Sequence, residues 1–224
     1  MKIQIIEKTA HFIVVNKPAG LNFHCEDGLG LVEIVRQQLD LTKLYPVHRL
    51  DKMTSGLVIF ALDSKAANQF MTLFESHLIE KYYLAISTEQ PKKKQGWIKG
   101  GMEKARRGSW KLNQSKHNYA KTQFISQSIQ PNERMYLLKP YSGKTHQIRV
   151  ALKSISAPIA GDERYQNIAK SRLEARGYLH AYALKFKFND VYYHWLQPPK
   201  DGKRFLSDEF KTSLAKWQQP WNLF

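Results

Sequence analysis

Val47-His48-Arg49-Leu50-Asp51-Lys52-Met53-Thr54-Ser55-Gly56 runs directly into Leu57-Val58-Ile59-Phe60-Ala61-Leu62, and the fold turns on this stretch. A polar segment with one carboxylate among cations gives way, through a glycine, to an apolar run of the length of a buried strand. Gly56 permits the turn into the strand, and Thr54 and Ser55 are suited to satisfying backbone groups of the loop. Asp63 and Ser64 are caps for a helix to about His77, whose Phe70, Leu73 and Phe74 would pack on the sheet.

Upstream, alternating Ile3 and Ile5 and the run Phe12-Ile13-Val14-Val15 read as two early strands, ended by Lys17-Pro18-Ala19-Gly20. Leu31, Ile34, Val35 and Leu39 recur at helical spacing. Downstream, strands are expected at Tyr82 to Ile86, Tyr136 to Leu138 and Tyr178 to Phe188. Asn189-Asp190 is a two-residue hairpin loop into Val191 to Trp195. A last helix should begin after Ser207, with Asp208 and Glu209 favourable at its N-terminus. Strands outnumber helices without regular alternation, which predicts an α+β fold with a mixed, largely antiparallel sheet. One domain over residues 1–224 is expected, since no repeat or long linker is visible.

The composition is that of an ordinary globular protein, 42% hydrophobic and 24% charged. Lys and Arg number 35 against 19 Asp and Glu, a net charge of +16. Such a balance points to a polyanionic partner, nucleic acid before an acidic membrane surface, with a merely soluble basic protein as the bland alternative. The single Cys25 excludes an intrachain disulfide and fits a reducing compartment, so the cytoplasm is expected. No apolar run approaches the ~18 residues of a membrane span, and the charged start is no signal peptide.

Residues 92–121 hold ten Lys or Arg against Glu103 alone, +9 of the total +16. Trp97, Trp110 and Tyr119 interleave with these cations, a combination suited to phosphate contacts and base stacking. An RNA-gripping hairpin led by Lys92, Lys93, Lys94, Arg106 and Arg107 is one reading, and a solvated exposed hairpin is the other.

The eight histidines form no H-E-x-x-H pattern, and no C-x-x-C is possible with one cysteine. Gly28-Leu29-Gly30 is only a fragment of a dinucleotide fingerprint, and there is no phosphate loop and no G-x-S-x-G elbow. Neither metal nor cofactor is therefore expected. Two polar clusters remain, the Asp51 stretch and Ser142-Gly143-Lys144-Thr145-His146-Gln147-Ile148-Arg149-Val150 at the start of a helix. An Asp paired with a buried Arg stays ionised in one orientation, which suits a nucleophile or base. On its own, however, an Asp before Thr-Ser-Gly is more often a turn residue.

The order of these motifs resembles the RluA-type RNA pseudouridine synthases. The resemblance is carried by His48-Arg49-Leu50-Asp51 with Thr54-Ser55-Gly56-Leu57 and Ala61, and by Lys144-Thr145-His146-Gln147-Ile148-Arg149 about a hundred residues on. Asn16-Lys17-Pro18-Ala19-Gly20, Lys81-Tyr82-Tyr83, Pro158-Ile159-Ala160-Gly161-Asp162 with Tyr165, and Leu179-His180-Ala181 extend it over most of the chain. It implies the pseudouridine synthase fold with a central active-site cleft. It also implies isomerisation of a flipped-out uridine in structured RNA, ribosomal or transfer, without cofactor or metal.

By this resemblance Asp51 aligns with the essential aspartate, Tyr83 with the active-site tyrosine and Arg149 with the arginine that pairs with the aspartate. Adjacent strand residues face opposite sides, so only one of Tyr82 and Tyr83 should reach the site. Ile148 or Val150 should pack the core. Arg49 is the candidate to fill the space left by the flipped base, with a local salt bridge as its alternative. His48 is assigned to RNA contact or to a structural hydrogen bond positioning the loop, and Lys144 and His146 to RNA contact. Lys144 stands where Arg is more usual, and Ala151 where many relatives have His.

The first strand begins almost at Met1, so a compact member without the family's N-terminal RNA-binding domain is expected, acting as a monomer. A non-catalytic RNA-binding protein or chaperone that keeps the fold is the alternative function. The combination of Asp51, Tyr83 and Arg149 speaks against it, because a binder need not keep all three.

Overall fold

The computed structural model describes residues 1–26 and 28–224. In chain order the elements are β1 (Gln4–Lys8), β2 (Phe12–Lys17), α1 (Leu31–Gln38), β3 (Tyr45–Pro46), β4 (Ser55–Ala61) and α2 (Ser64–Glu75). Then follow β5 (Glu80–Ser87), β6 (Gly96–Lys104), β7 (Trp110–Asn113), β8 (Tyr119–Gln130), β9 (Glu133–Pro140), α3 (Gln147–Ser154) and α4 (Ile168–Ser171). The chain closes with β10 (Leu179–Phe188), β11 (Val191–Leu196) and α5 (Asp208–Leu214). Two compact units result, one of residues 1–79 and 181–198, the other of 80–180 and 199–224.

In the first unit β2 pairs antiparallel with β1 and β4, and β10 with β11. Phe12, Val14, Leu57, Ile59, Leu184, Phe186 and Phe188 alternate along their strands onto one face, where Phe70 of α2 completes a closed core. The Phe70 and Phe188 rings stack at 4.8 Å. Asp63 caps α2, its Oδ1 accepting the Ala66 N–H at 2.7 Å. Asn189 and Asp190 both take positive φ, 48° and 63°, as a two-residue hairpin turn with strand-matching twist requires.

In the second unit β9 lies between β5 and β8, and β6 between β8 and β7, all antiparallel. Val150 of α3 packs on Met102 of β6 and Ala120 of β8. Ser207 caps α5 by accepting the Phe210 N–H at 3.2 Å. The basic segment 92–121 is more than the expected hairpin: it forms β6, β7 and the start of β8, with β6 paired on both edges. Gly100 and Gly101 make this possible. A Cβ at Gly101 would stand 2.4 Å from Asn113 Oδ1 and 2.7 Å from the Ser115 carbonyl.

Candidate active site

Lys17 ends β2 wholly buried, at 0% exposure. Its Nζ donates to the carbonyls of Pro18 at 3.1 Å, Asp51 at 3.3 Å, Lys52 at 3.1 Å and Thr54 at 2.8 Å. The Thr54 N–H returns to the Asp51 carbonyl at 3.0 Å, and the Gly20 N–H donates to Lys52 at 2.8 Å. One ammonium thus ties the turn from Asp51 to Thr54 to the end of β2. Burying an ammonium costs several kcal/mol and persists only where its donors are satisfied. Here the partners are the Pro18 carbonyl and three carbonyls of the turn from Asp51 to Thr54.

The rest of the Asp51 stretch is held as firmly. Leu50 is buried, Asp51 half-buried and Arg49 exposed. His48 Nε2 accepts the Ile59 backbone N–H at 2.9 Å, and its ring lies 5.0 Å from that of Phe74. Of its two expected roles, His48 therefore has the structural one built in. Gly56 takes φ +109°, and a Cβ there would lie 2.2 Å from the Ala181 carbonyl oxygen. Only glycine lets β4 begin so close to β10.

In the second unit, Tyr82 and Tyr83 take opposite environments, Tyr82 fully buried and Tyr83 half-buried. The Tyr82 hydroxyl donates to Glu80, which also holds Lys139 Nζ at 2.6 Å. Burial first, and then the hydrogen bond to Glu80, push the Tyr82 phenol far above its ordinary pKa. Lys81 is shifted the other way, its ammonium lowered by burial to about 8.

Arg149 lies in α3, itself nearly buried, and forks onto Asp162 with Nε to Oδ2 and Nη2 to Oδ1, both 2.8 Å. Asp162 Oδ1 also accepts the N–H groups of Arg164 at 3.0 Å and Tyr165 at 3.2 Å. The Arg149 guanidinium stacks over the Tyr165 ring at 5.0 Å. Tyr165 Oη in turn accepts the Trp110 N–H at 2.8 Å and lies 2.9 Å from His146 Nδ1. Ile148 and Val150 are both buried, as expected of core residues.

His146 takes φ +57° at the start of α3, and Lys144 is half-buried beside it. Gln147 pins this turn to β8: its Oε1 accepts from Ser142 Oγ and the Lys144 N–H, and its Nε2 donates to the Lys121 carbonyl and Thr122. Lys92, Lys93, Lys94, Arg106 and Arg107 are all exposed. They fall into two groups at opposite ends of β6, about 26 Å apart at the rise of a strand. Trp97 is covered by Tyr141 at 5.0 Å and by the ammonium groups of Lys99 and Lys121, whereas Tyr119 is exposed.

Neither the anchoring by Lys17 nor the Asp162 fork was apparent from the residues alone. The available signals were a lysine closing an apolar strand before Pro-Ala-Gly, and an aspartate behind a glycine. Among the described residues no group of three His, Cys, Asp or Glu is placed to hold a metal ion. No helix among them is long and apolar enough to cross a membrane.

A family profile described as RNA pseudouridylate synthase matches residues 11–154. The chain belongs to the RNA pseudouridylate synthase family. The synthase is 49% identical over 190 residues to an uncharacterized RNA pseudouridine synthase of Haemophilus influenzae, covering 84% of each chain. It is 31% identical over 186 residues to the ribosomal large subunit pseudouridine synthase C of Rickettsia bellii, covering 79% of this chain and 61% of that one. Its fold matches human RNA Pseudouridylate Synthase Domain Containing 1 with a TM-score of 0.76 at 22% identity, over 88% and 84% of the two chains. The synthase is accordingly an isomerase acting on RNA, with the α+β fold of pseudouridine synthases.

Proposed function

We propose that this synthase converts selected uridines of folded ribosomal or transfer RNA to pseudouridine, with Asp51 as the carboxylate that acts at the ribose. The observation that carries this reading is the buried Lys17 ammonium, committed to the carbonyl of Asp51 itself and to those of Lys52 and Thr54 just after it. A protein that only bound RNA would gain nothing from such a device at that turn. The names of relatives support both kinds of RNA: that of Rickettsia bellii is named for the ribosomal large subunit, and one of Haemophilus ducreyi for transfer RNA.

The bond between C1′ and N1 of uridine breaks, the base turns over, and C1′ bonds to C5, whose proton is then lost while N1 gains one. A carboxylate beside C1′ serves as nucleophile, as base toward a sugar proton, or as counter-charge to the ring. Tyr83 offers a ring for the uracil to stack on and a hydroxyl for moving the C5 proton. Arg149 supplies the guanidinium, held flat by Asp162 and Tyr165. Exposed Arg49 fills the space of the extruded nucleotide. His48 holds the loop, and Lys144, His146 and the two cationic groups on either end of β6 meet the RNA backbone. The protein works without a cofactor, as a monomer, in the cytoplasm.

The test is pseudouridine mapping of total RNA from cells lacking the gene, complemented with wild type or Asp51→Asn. Sites lost on deletion and restored by the wild type alone are the expected result. Restoration by Asp51→Asn would overturn the assignment.

A further inference from the structure

Beside Arg149, β7, α3 and residues 162–170 border an open groove of about 620 Å³. Its wall carries Trp110, Tyr165, Lys111, Lys153, Arg164 and Lys170. Four cations converging on one concavity repel one another, and two carboxylates answer them. Glu103 takes Lys111 at 2.9 Å, and Glu89 takes Lys170 at 3.7 Å. Four cations against two carboxylates leave two positive charges, centred on Lys153 and Arg164.

The aromatic wall is prearranged. Trp110 packs against the cluster of Met102, Ala120, Val150 and Tyr165, while also lining the groove. Its backbone is fixed by the Tyr165 hydroxyl at 2.8 Å. Arg164 Nη1 donates to the Arg107 carbonyl, which holds that guanidinium at the rim. A volume of this size suits a nucleotide-sized ligand, and an indole beside paired cations matches the stacking platform and charged track of single-strand binding. Tyr165 belongs both to this wall and to the Arg149 stack, so whatever fills the groove lies one ring away from Arg149.

We propose that this groove holds unpaired nucleotides of the substrate RNA next to the target uridine, a base on Trp110 and backbone phosphates on Lys153 and Arg164. The proposal rests on the reading of the chain as an RNA-modifying synthase, and it adds a subsite specific to single strands.

The experiment measures binding of fluorescein-labelled decauridylate and of inorganic polyphosphate to the full chain, over a salt series. Wild type, Trp110→Leu, the exposed pair Lys153→Ala with Arg164→Ala, and Asp51→Asn are compared. Trp110→Leu should weaken decauridylate about 5- to 140-fold, the worth of one stacked base, and leave polyphosphate binding at the wild-type value. The double variant should weaken both probes and lower the slope of log K against log salt for decauridylate by about 1.4, two phosphates' worth. Decauridylate carrying one 4-thiouridine should photocrosslink within residues 105–111.

Wild-type affinity and slope in the double variant would overturn the subsite, as would absence of the crosslink. Equal weakening of both probes by Trp110→Leu would reduce it to an anion patch and overturn the stacking. Asp51→Asn should bind like the wild type. An active Asp51→Asn enzyme with these binding results would end the catalytic assignment and leave the groove standing; the converse pattern would end the groove alone.

Discussion

The Arg149 guanidinium and the Asp162 carboxylate meet through two parallel hydrogen bonds of 2.8 Å, with Asp162 at 0% exposure. Such a fork fixes the plane of the guanidinium as well as its position, and a lysine ammonium cannot reproduce it. Removing one member of a buried pair leaves the other desolvated and unmatched.

Asp162→Ala should therefore destabilise the protein by about 3–5 kcal/mol. Arg149→Lys, which keeps the charge, should lose most of the isomerase activity while unfolding at only slightly lower denaturant. Urea unfolding and a pseudouridine assay on the same samples check both outcomes.

Lys17→Met keeps the length of the side chain and removes the ammonium. The Asp51 and Lys52 carbonyls retain the Thr54 and Gly20 N–H groups, so the loss falls on Pro18 and Thr54. We expect a cost of about 2 kcal/mol, from carbonyls left unmatched in a buried setting. Activity should fall by far more than stability, because the turn carrying Asp51 loosens. A folded variant with wild-type kcat would show that the turn needs no such anchor.

Tyr136 and Tyr82 make an opposed pair. The Tyr136 hydroxyl is buried without a hydrogen-bond partner among the described residues, and burial raises its pKa. Tyr136→Phe should leave stability unchanged or raise it by up to about 1 kcal/mol. Tyr82→Phe removes a donor from Glu80 and should cost about 1–2 kcal/mol. Differential scanning calorimetry of the two variants decides the ordering.

Lys81 gives a pH signature. Its pKa falls from 10.5 to about 8 through burial, so between those values the unfolded chain holds a proton that the native state lacks. Stability from this group therefore rises as pH climbs from 8 towards 10.5, and its destabilising effect is complete below 8. The unfolding free energy of Lys81→Met minus that of the wild type should shrink across this window. A flat difference would mean that the ammonium is solvated.

The cations flanking β6 should act independently. Lys92, Lys93 and Lys94 precede the strand, whereas Arg106 and Arg107 follow it, about 26 Å away. Alanine substitution of each group should lower RNA affinity by amounts that add within about 0.5 kcal/mol. Fluorescence anisotropy of the two sets and their combination tests this, and strong coupling would place both groups on one phosphate cluster.

Strands made of uninterrupted apolar residues were legible from composition, as at Phe12 to Val15 and Leu57 to Leu62, because both faces of those strands are covered. The caps at Asp63 and Ser207 and the turn at Asn189-Asp190 were legible from local chemistry. β6 to β8 were not. Their inward positions include Gly100, Ala120 and Thr122, small or polar residues set among lysines, and these give no apolar alternation. At the site, motif order singled out Asp51, Tyr83 and Arg149. The anchoring by Lys17 stayed hidden because its carbonyls lie up to 37 residues away, and no local pattern reports where they converge.

The first unit is assembled from two separated stretches of chain. On the ribosome, Phe12, Val14, Leu57 and Ile59 emerge well before Leu184, Phe186 and Phe188, the residues that finish their shared core. At ordinary elongation rates the wait for these roughly 125 residues is about 6–25 s. Throughout that interval an unfinished sheet face is open to solvent, to chaperones and to other nascent chains. For this enzyme the first core closes only once Leu184 to Phe188 have been made.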